Sequence, residues 1–237
     1  MMSFDVLGMS QHDFAKAVKK SRLAIIPVGS LEQHGDHLPV STDSIITEYL
    51  AKQVASRVGA FVFPVIPYGV SFEHSPMFNI SIGHSMLSSL VCGICSSIAA
   101  NGIKKIVVIN GHHGNIGALQ YLAQDLHGRI PTDVSVNTLH YWHMMKNQFD
   151  HAGEVETSLV LAIAPDLVRM NLARANSKRL SKSKAAYASM TNAPCSFVRI
   201  TGSGVWGDPS KASAEKGKRL VDEIVEGLSK TILELES

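Results

Sequence analysis

Most features that mark a specialised environment are missing from this chain. Three cysteines are an odd number, and Cys92 and Cys95, three apart in an apolar helical stretch, read as buried thiols of a reducing compartment rather than a disulfide framework. Neither sign of charge dominates: Lys+Arg 22 against Asp+Glu 20 leaves +2, with none of the concentrated basic surface that nucleic acid requires. No apolar run approaches the roughly 20 residues of a membrane span. The N-terminus shows no basic region followed by an apolar run and a small-residue cleavage site. There is no internal repeat. These absences lead to the expectation of a cytoplasmic protein acting on a small molecule, with neither nucleic acid nor membrane as partner.

What is present is an α/β pattern. At 237 residues and 45% hydrophobic, the chain can bury one large core, and the expectation is a single domain over 1–237. Leu23–Val28 is a short, unalternating apolar run, as for a strand covered on both faces, and Lys105–Asn110 is the clearest central strand. Further strands are expected at 60–66, 133–139 and 195–200. Helices are expected at 44–58, 85–100, 116–126 and 154–164. The C-terminal segment carries Val221, Ile224, Val225, Leu228 and Ile232 at helical spacing, with Asp208 as cap and Pro209 in the first turn. Alternating strands and helices imply a three-layer α/β/α sandwich around a mostly parallel sheet. The basic, serine-rich stretch 174–184 reads as a long mobile loop.

Ligands of such folds collect beyond the carboxyl ends of the strands, and two polar clusters fall there. The first is Glu32-Gln-His34-Gly-Asp36-His37, closing on Asp43; the second is Gly111-His112-His113-Gly114-Asn115. Glutamate, histidine and aspartate together suit zinc, manganese or iron better than calcium, which takes oxygen alone. Glu32 and His34, two apart, share a face if extended. Asp43 could cap the following helix or bridge two ions with its two oxygens. Asp36 and His37 fit supporting or surface roles, and of His112 and His113 one is a ligand while the other faces substrate or packs. In the third cluster, His151-Ala-Gly-Glu154-Val-Glu156, His151 is a candidate proton shuttle. Glu154 and Glu156 lie about 200° apart on a helix, so one can enter the site while the other caps or faces water. Glu73 and His74, and Trp206 in its glycine-rich turn, either line the pocket with His113 and Asn115 or belong to ordinary loops.

The residues so assembled resemble the creatininase (creatinine amidohydrolase) family. The match runs through Gly29-Ser-Leu-Glu-Gln-His-Gly-Asp-His-Leu-Pro39 with Thr42-Asp43, Asn110-Gly-His-His-Gly-Asn115, His151-Ala-Gly-Glu-Val-Glu-Thr157, and Gly207-Asp-Pro209 leading to Glu215-Lys-Gly217. The resemblance implies a homo-oligomeric hydrolase, with a hexamer as one expected form, holding two divalent metal ions per chain. Glu32 and His34 then correspond to ligands of separate ions, Asp43 to the bridge, His112 to a ligand beside Glu32, and His151 to the group assisting proton transfer. Where the creatinine-hydrolysing pattern has a glutamate two positions after the turn histidine, this chain has Gly114, so Glu156 would complete the ligand set and Glu154 would serve catalysis. A second departure is Asn79-Ile-Ser81, where many members carry Gly-Thr. The resemblance thus implies amide hydrolysis, with a formamidopyrimidine nucleotide as the favoured substrate, and creatinine, a short peptide in cofactor maturation, or a non-catalytic metal-binding scaffold as alternatives.

Overall fold

A computed structural model describes residues 4–176 and 193–235. Five strands form one sheet in the order β1-β3-β2-β4-β5, and every pair is parallel: β1 (Phe4–Asp5), β2 (Leu23–Val28), β3 (Phe61–Val62), β4 (Lys105–Asn110) and β5 (Ser135–His140). The two central strands run in register from Leu23 beside Lys105 to Val28 beside Asn110. All six residues of β2 are buried because both faces are covered. Leu23 and Ile25 join Val107 and Ile109 in a core closed by α2 (Thr42–Val58), α6 (Glu154–Ile163) and the C-terminal helix Ala214–Glu234. Ala24, Ile26 and Val28 join Ile106 and Val108 in a second core under α1 (Gln11–Ala17), α3 (His84–Ala100), α4 (Ile116–Leu119) and α5 (Leu122–Asp125). The expected three-layer α/β/α sandwich is therefore the architecture, and the stripe Val221, Ile224, Val225, Leu228, Ile232 is buried against the first core. Cys92 and Cys95 are buried free thiols on α3. No described helix is long and apolar enough to cross a membrane.

Several elements differ from expectation. The segment 195–200 is not a strand: the helix Ser196–Thr201 starts after Cys195 adopts φ 63°, and so short a segment does not distinguish the two conformations. The remaining strand is β1, two residues long and too short to leave a pattern. The strand expected at 60–66 is confined to Phe61–Val62, with Pro64 interrupting it before Ile66 pairs again with Val28. The helix expected at 116–126 breaks in two where Tyr121 leaves helical geometry (φ −114°, ψ 16°). Asp208 and Pro209 open a 3₁₀ turn, and the C-terminal helix itself begins after Ser213, whose side chain accepts from Lys216 N. Helix α2 starts at Thr42, placing Asp43 inside its first turn. Of the basic stretch 174–184, only residues up to 176 lie within the described part.

Candidate metal centre

The aligned carboxyl ends of β2 and β4 deliver the two expected clusters to one place. Close approach of α2 brings in the third component. A Cβ on Gly111 would lie 1.6 Å from Thr47 Oγ1 and 2.9 Å from the Asp43 carbonyl, so only glycine lets the β4 turn sit against the first turn of α2. Thr47 Oγ1 donates to that carbonyl at 2.6 Å, and Ser44 Oγ to Ser30 O at 3.1 Å, fixing the turn that aims Asp43. Helix α6 lacks a side-chain cap at Gly153. Instead Asp150 accepts from the Val155 and Glu156 amides at 2.9 and 3.3 Å, which sets where Glu156 enters.

Asp43 lies between two imidazoles, with Oδ1 3.3 Å from His34 Nε2 and Oδ2 3.2 Å from His112 Nδ1. Glu156 Oε2 is 3.5 Å from His34 Nε2, and Glu32 Oε2 is 3.2 Å from His112 Nε2. Backbone carbonyls fix both rings. His34 Nδ1 donates to Glu32 O at 3.1 Å and His112 Nε2 to Val70 O at 2.8 Å, so the other nitrogen of each ring faces Asp43. Glu32 Oε1, His34 Nε2, Asp43 Oδ2 and Glu156 Oε1 are buried without a hydrogen-bond partner, although donors and acceptors crowd within 3.5 Å. Buried polar atoms seldom stay unpaired. Nitrogen and oxygen donors converging on the same space fit divalent transition ions. Two three-donor sets, Glu32–Asp43–His112 and His34–His151–Glu156, match that geometry, and a third joins Glu32, His74 and His151.

The electrostatics are those of a carboxylate cluster that favours positive charge on its neighbours. Burial alone would depress His34, but Asp43 and then Glu156 outweigh it and push it up to about 10. His112 is likewise raised well above the usual range: its burial acts downward, and Glu32 and Asp43 overcome it. Glu156 is raised to about 8, first by burial, with His34 acting in the opposite sense. His151 goes the other way, held neutral by burial and by its neighbours His34 and His74.

His151 donates from Nε2 to Gln33 O at 3.1 Å, and its backbone pairs with that of Trp206 in both directions. Asp43, Glu73, His74, His112, His113, His151 and Glu156 line a cavity walled by Phe149, Phe197 and Trp206. His74 Nε2 stands 3.0 Å from Glu32 Oε1, and His74 Nδ1 accepts from Gln33 Nε2 at 2.8 Å. His113 packs on Phe149 and is lowered to about 4 by burial and then by His112.

Two expected site residues fall elsewhere. Glu154 is not among the cavity residues, because the α6 register that points Glu156 inward turns it outward to Lys216 Nζ at 2.5 Å. Asn115 is buried and not among the cavity residues; its amide bonds Val70 N and Gly29 O, both at 2.9 Å, and ties loops together. His37 is buried and bonded to Thr157 Oγ1 at 2.9 Å, whereas Asp36 is exposed. Gln33, Phe149 and Phe197 were not expected at the site. Gln33 stands within the Glu-Gln-His motif and was legible by position alone; the two phenylalanines left no signal.

The family model described as creatinine amidohydrolase matches residues 8–232. A creatinine amidohydrolase of Pseudomonas putida is 28% identical, the alignment covering 89% of this chain and 88% of that protein. A mycofactocin precursor peptide peptidase of Mycolicibacterium smegmatis is 33% identical, with 89% and 84% covered. A 2-amino-5-formylamino-6-ribosylaminopyrimidin-4(3H)-one 5'-monophosphate deformylase of Methanothermobacter marburgensis is 31% identical, with 65% of each covered. Among solved structures, a creatininase mutant complexed with creatine superposes with a TM-score of 0.85 at 26% identity, covering 98% of both chains. Solved creatininases also include a manganese form and a Zn–Zn type mutant.

Proposed function

Because the chain belongs to the creatininase family, we propose that it is a dinuclear metal-dependent amidohydrolase that cleaves the C–N bond of a small amide. The observation that carries this reading is Asp43, whose two oxygens each meet a different, carbonyl-oriented imidazole. Glu32, Asp43 and His112 would hold one divalent ion, and His34, Asp43 and Glu156 the other; zinc, manganese and iron all suit these donors. Bound ions of this kind acidify a water and draw charge from an amide carbonyl.

The protein's own groups supply the rest. His151, neutral with its Nε2–H committed to Gln33 O, keeps Nδ1 free to take up a proton and pass it to the departing nitrogen, which is too basic to leave as an anion. His74 holds the Glu32 carboxylate in place, and Gln33 holds His74. Phe149, Phe197 and Trp206 keep water off a planar ligand.

The favoured substrate remains a formamidopyrimidine nucleotide, supported by the deformylase relative. A short peptide is the second reading, favoured by 33% identity across 89% of the chain. Exposed Tyr68, Phe72, Phe78 and Ile80 support a homo-oligomer. The test is an assay of manganese- or zinc-loaded protein against the formamidopyrimidine nucleotide, a short peptide and creatinine. Hydrolysis of one of them, lost on chelation and restored by metal, is expected. A chain holding two ions that cleaves none of the three would contradict the proposal.

A further inference from the structure

Position 114 offers no room for a side chain. A Cβ there would come within 2.1 Å of the Val70 carbonyl oxygen, 2.5 Å of His112 Nε2 and 2.7 Å of Glu73 Oε1. The space beside His112 is thus filled from another part of the chain, by the carboxylate of Glu73 on the 3₁₀ turn Phe72–His74. Glu73 is buried, at 4% exposure, and lines the cavity. Its Oε1 has no hydrogen-bond partner and stands 3.7 Å from His112 Nε2, a nitrogen already donating to Val70 O. Glu73 belongs to none of the three-donor sets among the described residues, so it is not placed to share an ion with two other ligands. A buried carboxylate oxygen with neither metal nor protein donor lacks a partner that something else must provide.

The other walls indicate what that partner is. The described lining residues include three carboxylates, four imidazoles and three aromatic rings, but no lysine or arginine. Asp43 and Glu156 are the carboxylates assigned to the ions, so Glu73 is the lining carboxylate left for a ligand, and it suits a planar or cationic nitrogen, which a carboxylate hydrogen-bonds and aromatic faces attract.

We propose that Glu73 is the specificity-determining carboxylate of this site, accepting N–H from an amino, amidino or guanidino nitrogen carried by the substrate next to the amide that is cleaved. This rests on the amidohydrolase reading and adds the chemistry of the substrate's second recognition point. A phosphate, if the substrate has one, then lies outside the described cavity.

Glycinamide and propanamide form a suitable probe pair, since they differ mainly by an ammonium in place of a methyl group. Titrated calorimetrically into zinc-loaded protein at pH 7, glycinamide should bind about 10-fold more tightly, the range expected of one charge-assisted hydrogen bond. Glu73→Gln should bring the two within about 2-fold while retaining the metal content and melting temperature of the parent, and Glu73→Asp should recover part of the preference. Equal or undetectable binding of the two amides by the parent protein overturns the inference, as does a preference unchanged in Glu73→Gln. Amide cleavage is followed in the same samples. Preference without cleavage leaves the recognition role standing and counts against hydrolysis, whereas cleavage without preference does the reverse.

Discussion

At the scale of single residues, the neighbouring glutamates of α6 make the sharpest contrast. Glu156 reaches His34, and Glu154 pairs with Lys216, because positions two apart on a helix face nearly opposite ways. Glu156→Gln keeps the volume but removes a charge facing a dication, so affinity for one ion should fall by at least about 100-fold, more than the loss usual for a group that merely supports a ligand. Glu154→Gln should leave both ions bound; competitive metal titration of the two variants measures the difference. His151→Asn should retain two ions and lose about 10²–10⁴-fold in turnover, as for removal of a proton carrier. Loss of an ion in that variant would instead make His151 a ligand, as its membership of two donor sets allows.

Metal uptake should also be linked to pH. The metal-free chain holds protons on His34, pushed up to about 10, and on Glu156, raised to about 8. Both groups bind more protons at neutrality than they do once an ion displaces them, so affinity should rise with pH below about 8. Calorimetry at pH 7 in two buffers of different ionisation enthalpy should record more than one proton released per chain. An absence of release would contradict these assignments.

At the scale of elements, the site depends on how closely α2 meets the turn after β4. Gly111→Ala would drive a methyl group into Thr47 and the Asp43 carbonyl. The expected cost is about 1–3 kcal/mol, typical of overpacking, together with weakened metal binding as the first turn of α2 shifts. Denaturant unfolding and metal content of the same variant check both, and a fully stable, metal-replete Gly111→Ala would show that the contact is not required. Elements with a long pattern were legible in the sequence: β2, β4, α3 and the C-terminal helix each repeat their apolar signal several times. Two-residue β1 could not carry such a pattern, and Ser196–Thr201, with Phe197, Val198 and Ile200 as its apolar residues, is too short for periodicity to separate the expected strand from the helix that forms.

At the scale of the whole molecule, chain order and sheet polarity made the centre readable, because His34 and His112 follow parallel strands paired in register and must emerge on the same edge. What could not be read was the set of partners reaching that edge from irregular segments. Glu73 and His74 stood open between pocket and ordinary loop, Phe149 and Phe197 left no sign at all, and only tertiary packing assigns the four to the cavity. Asn115 illustrates the same point: a turn amide beside histidines has the composition of a binding residue, yet two buried backbone groups claim it.

The central claim is that Asp43 joins two ions in one centre, and metal stoichiometry tests it most directly. Elemental analysis of metal-saturated parent protein and of Asp43→Ala, each with a thermal melt, should find about two divalent ions per chain in the parent and fewer than one in a still-folded variant, as a bridge shared by both sites requires. Saturation of the parent at one ion, or retention of two ions by Asp43→Ala, would contradict it.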